Sequence, residues 1–408
     1  MKELALTSLL AFFSISLFAQ GITKRQKDYL LKNAVSIKNN EGTNGWSFLD
    51  NQLNGKRMVL LGEPNHGSKE IFELKNSIIE YLHQKHGFDV LLLESGIAEM
   101  IETEFDKEKL TPTQMVGNLK PPAWRSSEFK TLMNYSKKSN LILGGFDCFV
   151  TSESFQKKLN QLLTASNFSS TEFEKIEARF STQIEALKNR KLTYEETKMS
   201  TEKLIGDYQS LITTIGGKQN LKAKVVARAI ENRIGFLQYL LQYKKDNDFH
   251  KRLAARDSIM ASNILWFMKE VYPDKKVIIH SHNIHISKFN KHEEMMGENL
   301  YTKLGDAFFN IGMFSASGTY SDYTGKIKDI SPADTSRTDI KHIIGSLTAS
   351  VNYLRISEKP RKGIEWAFEE IVVNDTFIDL KQTHEMKLSK KFDALIFFDK
   401  VSIPNFKY

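Results

Sequence analysis

The sequence predicts an α/β protein, a largely parallel central sheet flanked by helices and interrupted by a large all-helical insertion. Three observations lead there. Short apolar runs such as Met58–Leu61, Val90–Leu93 and Ala394–Phe398 suit strands buried on both faces. The first two enclose a segment of helical periodicity, which makes a strand–helix–strand unit with parallel strands and a right-handed crossover. From Phe155 to Lys269, strand signals and proline vanish, and Leu and Ile recur at helical spacing among Lys, Glu and Gln.

The 408 residues exceed one simple core, so the chain divides into parts. Residues 1–19 read as a secretory signal peptide: Lys2 opens a short basic region, Leu4–Phe18 is apolar, and cleavage is expected after Ala19. That apolar run is shorter than the ~20 residues of a spanning helix, and no later segment could span a bilayer. The mature chain is therefore expected to be exported, periplasmic or secreted, without stable membrane insertion. Residues 20–150 are the first half of the α/β core, 151–269 the helical insertion and 270–408 the second half.

The organising unit is Arg57 to Glu94. Gly62-Glu63-Pro64-Asn65-His66-Gly67 is a turn, Ser68 caps the next helix, and Ile71, Phe72, Leu74, Ile78, Ile79 and Leu82 give it a buried face. Gly87 ends it, and the second strand delivers Glu94 at its carboxyl end. Before this unit, Lys24–Ala34 reads as a helix. After it come a helix over Ile97–Lys109, a Pro- and Gly-punctuated loop over Thr111–Pro122, a helix over Ser127–Ser139 and a strand over Leu141–Gly145. The insertion contains helices over Phe155–Leu163, Thr171–Leu187, Tyr194–Leu211, Lys222–Tyr243 and Arg252–Val271, with charged stripes read as solvated faces. Strands at Lys276–His280, Phe308–Phe314 and Ala394–Phe398 follow, and Ile327–Ser357 is weakly patterned.

Net charge is +8, but the charges are interleaved, with no basic stripe carrying aromatics, so nucleic acid is not the expected partner. Cys148 is the one cysteine, which excludes an internal disulfide and a thiolate metal cluster.

The informative residues stand at strand ends, where open α/β sheets bind ligands. They are Glu63, His66, Glu94, Asp147, and the run His280-x-His282-x-x-His285. A pocket of histidines and carboxylates suits general acid/base work, since a carboxylate fixes the imidazole tautomer. Three rivals share these residues. Gly62 to Lys69 approximates a phosphate-binding loop, but Ser68 and Lys69 are transposed and Glu63 would repel phosphate. The histidines with Glu94 could ligate zinc, and Cys148 could be a nucleophile, although buried cysteine is usually a small hydrophobe.

The ordered set Gly62-Glu63-x-x-His66-Gly67, Glu70, Phe72-Glu73-Leu74, Gly87-Phe88, Glu94, Trp124, Glu128, Gly145-Phe146-Asp147, Arg256-Asp257, Met260-Ala261, Asn263, His282-Asn283-x-His285, Gly297 and Leu304-Gly305 to Gly312 resembles the erythromycin esterase-like family. The resemblance covers most of the mature chain. It implies an α/β core with a helical insertion and hydrolysis of a macrolide's lactone ester without metal or other cofactor. It implies His66 as the base that activates water, Glu63 and Glu94 as acids that hold the site, and His282 and His285 as its lining. Lys75, Trp124, Glu128, Asp147 and Asn283 are expected to contact substrate. Lys75 stands where the family has arginine, and lysine does not reproduce a bidentate contact. The expected partner is therefore a small ester or macrolide-like molecule of open identity. A metal-dependent hydrolase and a non-catalytic binding protein are the alternatives.

Overall fold

The computed structural model describes residues 22–38, 42–119, 122–149, 159, 170–215, 221–292, 294–374 and 384–406. The expected signal peptide, and the helix expected over Phe155–Leu163 apart from Leu159, lie outside the described residues.

The strands are β1 (Val35–Ser36), β2 (Met58–Leu61), β3 (Val90–Gly96), β4 (Ile142–Asp147), β5 (Val277–His280), β6 (Phe308–Ser321), β7 (Ile327–Asp329), β8 (Val351–Arg355), β9 (Ile371–Val372), β10 (Glu385–Met386) and β11 (Ala394–Val401). The main sheet has the order β1-β8-β11-β6-β2-β5-β3-β4, with β7 paired to the far end of β6. From β11 to β4 every pairing is parallel, while β8 and β1 are antiparallel at one edge. Every residue of β2, β3 and β5 is buried, as the apolar runs Met58–Leu61, Val90–Leu93 and Val277–Ile279 require, and the polar residues that end β3 and β5 are buried with them. At ~1.5–3 kcal/mol for each large aliphatic side chain, these three strands give the rigid floor on which an edge of charged groups is tolerated.

The site's place follows from the strand order. The chain leaves β2 toward β3 on one side and leaves β5 toward β6 on the other, so β2 and β5 form the switch point of the sheet. Register puts Leu61, His280 and Leu93 in one row. The residues that follow each of them therefore leave the sheet at the same level.

Local signals explain most boundaries. The helix Lys69–His86 ends at Gly87, whose left-handed φ of 66° a larger residue would adopt at a cost. Ser68 has the extended backbone of a cap, but its hydroxyl donates to Asn65 Oδ1 (2.8 Å), so it braces the turn and not the helix. The loop expected over Thr111–Pro122 holds a short helix, Pro112–Gly117, with Thr111 and Gln114 in a reciprocal cap. Proline at a first helical position starts a helix as readily as it breaks one. β6 runs seven residues beyond the strand expected at Phe308–Phe314, because residues 319–321 gain a hairpin partner in β7.

Among the described residues, the helices of the expected insertion are Ser170–Lys188, Tyr194–Ile215, Leu221–Lys245 and Phe249–Trp266. Its charges are not all on solvated faces. Arg233 and Glu177 form a buried pair (3.0 Å), Tyr208 donates to the same carboxylate, and the guanidinium lies over Phe180 at 4.2 Å. Among the described residues no helix is long and apolar enough to cross a membrane.

Candidate active site

The turn after β2 is tied down at both ends. Gly62 donates to the Ile311 carbonyl (2.9 Å), and the Asn283 amide donates to the Glu63 carbonyl (2.8 Å). Asn65 Oδ1 accepts from the Gly67 amide (3.2 Å) and from Ser68 (2.8 Å). Gly67 is required by close approach: a Cβ there would stand 2.5 Å from the Ser321 carbonyl oxygen. This frame turns Glu63 and His66 to the same side.

Glu63 is the centre of a first set. Its Oε1 accepts from His66 Nδ1 (2.8 Å) and Trp124 Nε1 (3.1 Å), and its Oε2 accepts from Lys75 Nζ (2.8 Å). Burial opposes ionisation, but Lys75, His280 and His66 outweigh it and hold the pKa far below the usual carboxylate range. An ionised carboxylate only accepts, so His66 carries its proton on Nδ1 and its lone pair on Nε2. His280 sits edge-on to Trp124 (4.8 Å between centroids), with Lys75 Nζ 3.4 Å from its Nδ1. Burial, aided by Lys75, lowers its pKa to about 3, so it is a neutral wedge.

Glu94 is the centre of a second set. Its Oε2 accepts from the Ser281 hydroxyl (2.6 Å) and the His282 amide (3.0 Å), which fixes the backbone leaving β5. Its Oε1 accepts from Arg256 Nη2 (3.0 Å) and lies 3.4 Å from His285 Nε2. Arg256 also grips Asp147 with two N–H groups (3.1 and 2.7 Å) and reaches His285 Nε2 at 3.0 Å. Asp257 accepts from His285 Nδ1 (2.8 Å) and from the Met296 amide (2.8 Å). Burial holds Glu94 up, yet His285, His66 and Arg256 together keep it well below its ordinary pKa. Burial would lower the His285 pKa, but Asp257 and Glu94 raise it to about 9. A neutral His285 accepts from Arg256, whereas a charged one turns its Nε2–H toward Glu94.

His282 joins the two sets. Its ring stacks on His66 at 3.8 Å and 4° and lies 6.2 Å from His285. Burial and the neighbouring His66 lower its pKa well below the ordinary value, and its Nε2 is shut from solvent without a hydrogen-bond partner. Glu63, His66 and His282 bring potential ligand atoms within 4.8 Å of one another. The stack works against a shared ion, however. Imidazoles ligate in the ring plane, and an ion midway between near-parallel rings 3.8 Å apart lies out of each plane by nearly a whole ~2.0–2.1 Å Zn–N bond.

The structure thus brings together all five expected catalytic residues: Glu63, His66, Glu94, His282 and His285. The expected substrate contacts are placed differently. Lys75 is 0% exposed beneath Glu63, and Trp124 is buried with its N–H on the same carboxylate. Asn283 is engaged at both ends with the Met313 backbone, and the Glu128 carboxylate accepts from the Asn405 amide. Asp147 is held by Arg256. Lys75 and Trp124 thus brace Glu63, and Asp147 braces Arg256. Cys148 is fully buried, and burial with Asp147 pushes its thiol well up, which removes the thiolate that the nucleophile alternative needs.

Sequence reasoning noted Arg256 and Asp257 only as part of a pattern and took their helix face as solvated. Asp257 is fully buried and the Arg256 side chain is 13% exposed. The available signal was an Arg-Asp pair followed by Met260-Ala261 and Asn263, an apolar and amide face that had to pack on something.

The protein of Bacillus subtilis (strain 168) named "Putative hydrolase YbfO" is 26% identical to this chain, over 96% of it and 95% of that protein. Two solved structures share the fold. A succinoglycan biosynthesis protein covers 94% of this chain and 98% of its own, at 19% identity and a TM-score of 0.77. A mutant of the erythromycin esterase EreC in its open conformation covers 89% and 95%, at 17% identity and a TM-score of 0.63. Residues 83–401 match the erythromycin esterase family, and the chain belongs to that family.

Proposed function

We propose that this hydrolase cleaves a carboxylic ester or lactone with water activated by His66. The observation that carries the reading is the ionised, buried Glu63 accepting from His66 Nδ1 at 2.8 Å. It leaves Nε2 as the basic nitrogen and compensates the imidazolium that forms when water gives up its proton. Water oxygen adds to the acyl carbon and His66 takes the proton. The acyl–oxygen bond then breaks, and the leaving alkoxide takes a proton back, giving an acid and an alcohol. Glu94, a second ionised carboxylate beyond His282, favours the same imidazolium. The relative's name "hydrolase" and the family name agree with this chemistry, whereas the ester bond is our own reading.

The test is a screen of purified protein against macrolides and simple esters, read by mass spectrometry for the gain of one water, with His66→Ala beside it. Turnover that survives His66→Ala overturns the base assignment.

A further inference from the structure

We infer that Arg252 is an anion subsite, and that the substrate is an ester carrying a carboxylate. The inference rests on the hydrolytic reading above and deepens it.

The helix Phe249–Trp266 descends along β4. Asn263 donates to the Phe146 carbonyl (2.8 Å), and Arg256, two turns earlier, binds Asp147 at the strand's end. Residues before Arg256 therefore stand above the edge of the sheet, on the side where the histidines lie. Arg252 is one turn earlier on the same face, ~6 Å further out at 1.5 Å per residue.

The two arginines are mounted alike and satisfied differently. Arg256 lies over the Phe149 ring at 4.6 Å, and Arg252 over the Tyr243 ring at 4.3 Å with Phe249 at 5.8 Å. Tyr239, one turn before Tyr243, closes on Phe149 at 5.7 Å, so aromatic rings and guanidiniums form a continuous two-rung ladder from the site outward. Arg256 is engaged at Nε and Nη2 by Asp147 and Glu94, with its Nη1 3.0 Å from His285 Nε2. Arg252 has no ion pair among the described residues, and its Nε is shut from water without an acceptor. Stacking holds the guanidinium plane still, and no carboxylate among the described residues meets its edge. Such a fork fits a carboxylate through two parallel N–H···O bonds. A half-buried cation so placed favours an anion and opposes a cationic substrate.

The test compares mono-4-nitrophenyl adipate with 4-nitrophenyl hexanoate, which share the leaving group and chain length. The wild type is expected to favour the adipate in kcat/KM by about 10-fold or more. Arg252→Gln should lower that ratio ~10–100-fold, the worth of one charge-assisted bidentate contact, and Arg252→Lys should fall between. Adipate binding is measured separately by calorimetry in His66→Ala and in His66→Ala/Arg252→Gln, with thermal unfolding to confirm folding of each. Adipate binding that depends on Arg252, without turnover of either ester, would keep the subsite and sink the hydrolytic reading. Turnover of both esters at similar kcat/KM, unaffected at position 252, would overturn the subsite and leave hydrolysis standing. Neither binding nor turnover would overturn both.

Discussion

Lys75→Met tests the buried charge set behind His66. The side chain is 0% exposed and its ammonium lies 2.8 Å from Glu63 Oε2. Methionine keeps the unbranched stem and removes the charge, leaving Glu63 buried beside neutral His280. Breaking one partner out of a buried pair costs ~3–5 kcal/mol. Glu63→Gln leaves the ammonium buried and should cost a similar amount. The double variant leaves neither charge, and its amide oxygen still accepts from Trp124. The two changes should therefore fall short of additivity by at least ~2 kcal/mol. The assay is urea unfolding of the four proteins, followed by circular dichroism.

Activity carries the sign independently. Glu63 has a depressed pKa in the folded state, so its contribution is present above the ordinary carboxylate range and is lost as pH falls toward the folded value. Without Lys75 that value rises, and the acid limb of the rate profile should move to higher pH, because a protonated Glu63 no longer fixes the His66 tautomer. A cost for Lys75→Met below ~1 kcal/mol, strict additivity, or an unmoved acid limb would refute the argument.

Four further outcomes are expected. His66→Ala should lower kcat on a confirmed substrate by ~10²–10⁴-fold or more with unfolding little changed; a near-normal kcat rejects His66 as the base. His285, raised to about 9, contributes stability that is complete below pH ~6.5 and lost as pH rises through about 9, so Asp257→Asn should flatten the stability profile across that window; an unchanged slope of urea midpoints against pH sinks this. Exhaustive chelation should leave activity intact, given the parallel rings of His66 and His282; activity lost with zinc and restored by it would replace the base by a metal centre. Gly67→Ala should cost ~1–3 kcal/mol in urea unfolding, since its Cβ meets Ser321 backbone, whereas Gly117→Ala, with open space around it, should not.

Much of this was legible in the sequence, for local reasons. Met58–Leu61 is a strand with the expected bounds because a continuous apolar run between turn signals has few other ways to be buried. Glu63, His66 and Glu94 stand at one edge because a right-handed strand–helix–strand unit puts both strand ends there. What stayed hidden depends on pairing across long separations. Lys75 reads as a substrate contact because it stands where the family has arginine, and nothing local says that it pairs with Glu63. The partners of Asn283 and Glu128, the Met313 backbone and the Asn405 amide, were hidden for the same reason: they are distant in sequence. Arg256 and Asp257 were hidden by their neighbours, since a helix rich in charge reads as solvated until its packing partner is known.

Those two residues also bear on how separable the helical insertion is. Cutting the sequence where composition changes, at residues 151 and 269, places Arg256 and Asp257 with the insertion. Yet Arg256 holds Asp147 and Glu94, and Asp257 holds His285, all from the α/β core. Removing the insertion would leave two carboxylates and a histidine buried at the strand edge without their partners, a far larger penalty than exposing an apolar helix face. Glu94 would then take up a proton or turn to water, release the Ser281 hydroxyl and the His282 amide, and free the ring that stacks on His66. The insertion is a unit of sequence, but electrostatically it is half of the site.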